Sequence, residues 1–344
     1  MALIKWPGLI DVHVHLREPG ATHKEDFISG TKAAVAGGFT AVLDMPNNPV
    51  TTVTLERLKE KKKLSEKSLC FVGFHFGTDG TNFAEFKAAS LDRQVFGLKI
   101  FADHTTGTLL IEDLNLIEEA FIAWKSDKPV LLHAEGEKGA ELIFRAVRAG
   151  RRVHLCYISR KCEVEAVRKA KAKKLPVTTG VTPHHLFLTK ENVSQLGPFG
   201  YMKPEVGSDA DREALWTGIF DNTIDLVESD HAPHTSEEKK SGQPPFGVPG
   251  LETTLGLLLK AVHEGKLSLE KVRTLLYDNP KKAFSVPNIP SRIEFDPDQS
   301  FIIGKNGYQT RAGWSPFAGW EAYDRVKRVR IGNKTVYENG SFQV

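Results

Sequence analysis

The 344-residue chain is 40% hydrophobic, and 46 basic against 43 acidic residues leave a formal net charge of +3. That apolar fraction supports a sizeable core and excludes a disordered chain, while so small and mixed a charge excludes an argument for a nucleic-acid or anionic-membrane partner. No apolar run approaches the ~18 residues of a membrane span; "MALIKWPGLID" lacks the apolar stretch and cleavage site of a secretory leader; and Cys70, Cys156 and Cys162 show no metal-type spacing, so a reducing, cytoplasmic setting is expected.

Strand-like and helix-like stretches then alternate. "LIDVHVHL" (9–16) precedes a helix over 23–38 that ends in glycines. "TAVLDMP" (40–46) precedes a lysine-rich helix at 54–67, and "SLCFVGFHFGT" (68–78) a short helix at 82–89. "VFGLKIFA" (95–102) leads through a polar loop to a helix at 112–125, "PVLLHAE" (129–135) to one at 137–149, and "RRVHLCYIS" (151–159) to one at 161–173. "PVTTGVTPHHLFL" (176–188), a helix near 209–220, "IDLVESDHAPH" (224–234) and helices over 251–264 and 268–284 complete the series. Eight apolar strands alternating with helices predict an α/β fold, a (β/α)8 barrel over 1–285. A doubly wound sheet would ordinarily carry a Gly-rich phosphate turn after its first strand, and none is present. Beyond residue 286 the composition shifts to Pro, Asn and Asp, and "RVKRVRIGNKTVYENGSFQV" (325–344) reads as a hairpin. We expect 286–344 to be a small C-terminal β extension with a β-hairpin packing on the barrel, its strands pairing among themselves or with a few N-terminal residues.

In barrels of this kind the active site lies at the C-terminal ends of the strands. Asp11, His13, His15 and Arg17 recur every second residue, which places them on one strand face. Asn47 follows strand 2, Lys99 lies late in strand 4, His133 ends strand 5, and Asp230, His231 and His234 close strand 8. A lone histidine at a strand end is ordinarily a packed or solvated group. Several strands delivering imidazole, carboxylate and amine to one rim are poorly explained by packing, and imidazole and carboxylate are the ligands of a catalytic zinc.

The segments "PGLIDVHVHLREPG", "MPNN", "GLKIF", "LLHAE", "TPHHLFL", "SDHAPHT" and "GVPGLET" together resemble dihydroorotase, of the amidohydrolase superfamily, in order from Pro7 to Phe284. The likeness is greatest to short forms that include the domain of the animal multifunctional protein. Hydantoinases, dihydropyrimidinases and allantoinases share the His-x-His but generally lack the following Arg. The resemblance implies a zinc-dependent, reversible ring closure of N-carbamoyl-L-aspartate to dihydroorotate. It implies one or two Zn2+ ions, with a carbamylated Lys99 bridging the pair. His13, His15 and Asp230 would complete the first site, and His133 would serve the second. Asp230 would also shuttle the proton. Arg17 and Asn47 would hold the substrate carboxylate, His234 would contact the same end, and the backbone near 246–250, including Pro249 and Gly250, would read the ring amide. Thr105, with Thr106, would close over the ring from the loop 102–110. A homodimer and an aspartate transcarbamoylase partner are further implications.

Three departures stand out. Tyr157 occupies the position of a second-site histidine, and phenol is a rare zinc ligand; His154, three residues earlier, is expected on the opposite strand face. Lys203 stands where close relatives place an Arg that helps bind the substrate carboxylate, keeping the charge without the fork. Gly180 stands where some animal-type relatives carry a Glu near an additional metal; with Cys156 alone, no such site is expected. His184 and His185 read as packing groups. A weak or inactive dihydroorotase-like subunit and a related cyclic amidase are the alternative functions.

Overall fold

In the computed structural model, which describes residues 3–323 and 326–343, the chain enters through a short strand, β1 (Ile4–Trp6). Eight buried parallel strands follow: β2 (Leu9–Val14), β3 (Phe39–Asp44), β4 (Phe71–Gly77), β5 (Val95–Phe101), β6 (Val130–His133), β7 (Val153–Leu155), β8 (Val177–Val181) and β9 (Leu226–Val227). They pair in sequence order, and a bridge between Val14 and His231, with His15 N–H donating to His231 O at 2.8 Å, draws the last strand against the first. The barrel predicted from the alternating pattern is therefore the observed architecture, with peripheral strands added.

Helices pack outside the strands. In α1 (Phe27–Ala36) the Asp26 carboxylate caps the free N–H of Ser29 at 2.7 Å, and in α2 (Leu55–Leu64) Thr54 caps Arg57. The run Leu269–Phe284 winds as helix with a wider π turn over Thr274–Asp278, just before Pro280, whose ring nitrogen has no N–H to donate. Inside the barrel, Ile10, Val12, Ala41, Leu43, Phe96, Leu131 and Leu226 form an apolar layer with Phe284. Each such fully buried side chain contributes on the order of 1.5–3 kcal/mol. Among the described residues no helix is long and apolar enough to cross a membrane.

The C-terminal segment adds β10 (Ser291–Phe295), β11 (Ser300–Ile302), β12 (Glu321–Tyr323), β13 (Arg328–Ile331), β14 (Lys334–Glu338) and β15 (Ser341–Phe342). β1, β10, β13, β14 and β15 form one sheet, with Ile331 opposite Lys334 at the hairpin turn; Arg325 and Val344, the ends of the expected hairpin, lie outside the described residues. The segment also reaches the barrel. Residues 309–314 return to the barrel rim: Glu25 accepts from Thr310 Oγ1 and Arg311 N, Glu252 accepts from Gln309 N and Thr310 N, and Trp314 Nε1 donates to His234 O at 2.8 Å.

Candidate metal centre

The ends of two strands, β2 and β9, meet at one point. His15 Nε2 lies 3.0 Å and His13 Nε2 3.5 Å from the same oxygen of Asp230, Oδ1. The other nitrogen of each ring fixes its proton. His13 Nδ1 lies 3.2 Å from Glu228 Oε2, an ionised carboxylate that only accepts, and His15 Nδ1 lies 2.8 Å from Asn47 Oδ1. Each Nδ1 therefore carries the hydrogen, and each Nε2 presents a lone pair. Burial lowers His13 to about 4 and His15 well below its ordinary value, so both rings are neutral. Burial raises Asp230 to about 6. Two bare imidazole nitrogens facing a carboxylate oxygen repel one another unless a cation lies between them. His13 Nε2 is buried without a hydrogen-bond partner, and the three donors lie within 4.8 Å of one another. The residues fit a divalent metal, and the Glu228–His13 and Asn47–His15 pairs supply the outer hydrogen bonds that orient such ligands.

The one-face reading of β2 needs correction. The pairing of β2 shifts register between Asp11 and Val14. Asp11 stays behind the cage, accepting from His13 N at 3.0 Å and from Ser229 N, while His15 and Arg17 lie past the end of the strand.

Beside the cage lie Lys99, His133 and Tyr157. β7 ends at Leu155, and Tyr157 turns back at φ 33°, in the left-handed region. Its ring rests 4.5 Å from that of His13, its N–H donates to Glu228 Oε1 at 2.5 Å, and its hydroxyl lies 2.5 Å from His133 Nδ1. Burial, and then the Asp230 charge, push the phenol well above its ordinary value, and the hydroxyl shares a hydrogen bond with His133 Nδ1. Lys99 Nζ lies 3.2 Å from Cys156 Sγ and 3.4 Å from Tyr157 Oη, and it pairs with no acid among the described residues. His154 does not join this group. It points to Glu228, 3.5 Å from Oε2, and to Thr178.

Glu228 is the functional residue that the sequence reading missed. Burial works to raise its carboxyl, yet His154 and His13 hold it below the ordinary carboxylate range. A Cβ at Gly180 would come within 2.3 Å of Glu228 Oε1, so the glycine is the space this carboxylate needs. A carboxylate is nonetheless present there: Cys156, His13 and Glu228 lie within 4.8 Å of one another. The signal was available, because Glu228 stands two residues before Asp230 in "VESD".

A wall of polar groups faces the cage. Arg17, held at φ 63°, donates Nε–H to Pro233 O at 3.0 Å, and burial lowers its pKa only to about 10. Its Nη2 lies 3.1 Å from His234 Nε2. His234 Nδ1 accepts from Lys24 Nζ and Nε2–H donates to Phe246 O at 2.9 Å, so Nε2 has no lone pair for Arg17. One arm of a buried guanidinium is thus turned toward the pocket without an acceptor. Asn47 Nδ2 donates to Thr106 O at 2.7 Å, and Thr106 Oγ1 donates to Phe246 O at 3.0 Å, which draws the loop 102–110 over the site. The closed cavity is about 10 Å³, room for a single water, and Thr105, Lys203, Phe246 and Gly247 line it with Arg17 and Asn47. Lys203 Nζ pairs with Glu205 at 3.0 Å and sits 5.3 Å over the Phe246 ring. Pro249 and Gly250 lie apart, lining a separate cavity with His231 and Trp314. His185 is tied to Thr182 and to Pro204 O, and His184 is buried beside it.

Comparison with known proteins gives a consistent picture. The amidohydrolase family model matches residues 4–287. The chain is 41% identical over 345 residues to the multifunctional protein CAD of Squalus acanthias, covering 99% of this chain but 15% of that protein's length. It is 35% identical over 353 residues to the dihydroorotase of Halobacterium salinarum, covering 91% of this chain and 82% of the relative. Among solved structures, the inactive dihydroorotase-like domain of the Chaetomium thermophilum CAD-like multifunctional protein superposes with a TM-score of 0.84 at 25% identity, covering 100% of this chain and 97% of that one.

Proposed function

The chain belongs to the amidohydrolase family, and from that premise we propose that it is a dihydroorotase, closing N-carbamoyl-L-aspartate to L-dihydroorotate and reopening it with zinc as cofactor. The observation that carries this reading is the open arm of Arg17 beside the His13–His15–Asp230 cage. A guanidinium pairs a carboxylate through two parallel hydrogen bonds, and dihydroorotate carries a carboxylate where a hydantoin has none.

A metal bound in the cage would activate water and polarise the amide carbonyl. The chain's own residues do the rest. Arg17 holds the substrate carboxylate at the pocket wall, and Lys203 adds positive charge across the pocket. Asn47 keeps the His15 ring in the tautomer that leaves Nε2 bare. In hydrolysis Asp230 takes the proton from the attacking water and returns it to the ring nitrogen as the amide opens; in ring closure the same carboxylate works in reverse. The loop carrying Thr105 and Thr106 opens to admit substrate, since the closed cavity holds only one water, and then closes to exclude solvent. A homodimer and association with aspartate transcarbamoylase are part of the proposal, and size measurement of the mixture tests both.

A weak or inactive dihydroorotase-like subunit is the second reading, favoured by the Tyr157 hydroxyl on His133 and by the likeness to a domain described as inactive. Turnover of dihydroorotate by zinc-loaded protein decides between the two. For the active enzyme, Arg17→Ala raises KM by about 30-fold or more, the loss of a charge-assisted pair worth ~2–3 kcal/mol. Equal turnover of hydantoin and dihydroorotate, untouched by Arg17→Ala, would instead identify a cyclic amidase of another kind.

A further inference from the structure

We propose that this barrel mouth is built for one metal ion, held by His13, His15 and Asp230, and that the Tyr157 hydroxyl fills the place beside His133 and Lys99 that a second ion would need. The inference rests on the metal-dependent reading above and makes it more specific. A neutral imidazole has one lone pair. The Nδ1 of His133 is engaged by the Tyr157 hydroxyl at 2.5 Å, and its Nε2 lies 3.8 Å from Glu135 Oε1. The hydroxyl thus stands where a metal on Nδ1 would have to sit, and His133 belongs to neither group of clustered donors. The second of those groups, His13 with Cys156 and Glu228, is not an additional site. It shares His13, whose single lone pair points to Asp230 while its N–H points to Glu228. While its Nδ1 hydrogen stays in place, His13 can serve only one of the two groups.

The test counts ions rather than turnover. The full chain, stripped with a chelator, reloaded with excess zinc and desalted, is expected to hold one zinc per chain. Loaded with Mn2+ it is expected to give the spin-resonance spectrum of an isolated ion. Protein supplied with 13C-bicarbonate is expected to show no lysine carbamate. Tyr157→His restores a lone pair at this position and is expected to raise the count to two, with an exchange-coupled Mn2+ spectrum. Two ions in the wild type, a coupled spectrum, or a carbamate signal removed by Lys99→Ala would overturn the inference while leaving the metal-dependent reading intact. A folded Tyr157→His protein that still holds one ion would overturn the assignment to Tyr157. No ion in the wild type would overturn both readings. The wild-type count decides the matter even if the variant does not fold.

Discussion

Lys61 offers the sharpest test of how the fold supports the site. It is the buried lysine of α2, its Nζ 2.6 Å from Asp44 Oδ2, 2.7 Å from Met45 O and 2.7 Å from Asn48 Oδ1. The pair anchors the end of β3 and the loop that carries Asn47. Lys61→Met leaves Asp44 fully buried with one remaining donor, the Leu16 N–H at 2.7 Å. Stranding one partner of such a pair costs about 3–5 kcal/mol. Protonation of Asp44 sets a ceiling. Neutralising a carboxyl of ordinary value 3.8 at pH 7 costs about 4 kcal/mol, and at pH 5 about 2 kcal/mol. Urea unfolding of the metal-free wild type and variant at both pH values is therefore expected to show a loss near 4 kcal/mol that halves on acidification. Adding Asp44→Asn should recover much of the loss, because no charge is then stranded. A penalty below about 1 kcal/mol at pH 7, or one that does not change with pH, would refute the reasoning.

Three further outcomes follow from other buried groups. Lys239 Nζ is held by the carbonyls of Tyr201, Pro245 and Gly247 at 3.0, 2.9 and 3.1 Å; Lys239→Met frees the segment that lines the pocket at Phe246 and Gly247, and KM should rise at least ~10-fold with the zinc count unchanged. Burial raises Glu252 from 4.5 to about 7, so its contribution to stability is full below pH 4.5 and is lost as pH rises through 7; Glu252→Gln should remove that decline in thermal melts taken across this window. Chelation should lower the melting temperature, since an ion held at a thousand times its Kd stabilises the fold by ~4 kcal/mol, and an unchanged melt would argue against a metal in the cage.

The barrel was legible because each buried parallel strand is an apolar run bounded by a helix. The cage was legible because His13, His15 and Asp230 lie at or just past the C-terminal ends of their strands, and strand ends in this fold share one rim. Other parts depend on partners far apart in the chain. "LERLKEKKKL" contains four lysines, and no local pattern singles out Lys61 as the one that reaches Asp44. The return of Trp314 to His234 joins residues 80 positions apart, which no local pattern signals. His133 could be placed at the site from its strand, but whether its lone pair is free depends on the turn at Tyr157, which leaves the strand in a left-handed conformation.

Gly180 shows the difficulty in its clearest form. Taken position by position, a glycine where a carboxylate is expected signals a missing group, and the expectation of no additional metal site followed from that. In the folded barrel, β8 and β9 are neighbours, with Gly180 paired to Leu226, two residues before Glu228. The carboxylate comes from the adjoining strand into the space the glycine leaves, and there it orients His13 and receives the Tyr157 N–H. The two positions are coupled by volume. Gly180→Ala puts a methyl group within 2.3 Å of Glu228 Oε1 and must displace that carboxylate, releasing the hydrogen bond that fixes the His13 tautomer. A side chain at 180 and the present place of Glu228 are incompatible, so neither residue has a meaning for the centre that can be read without the other.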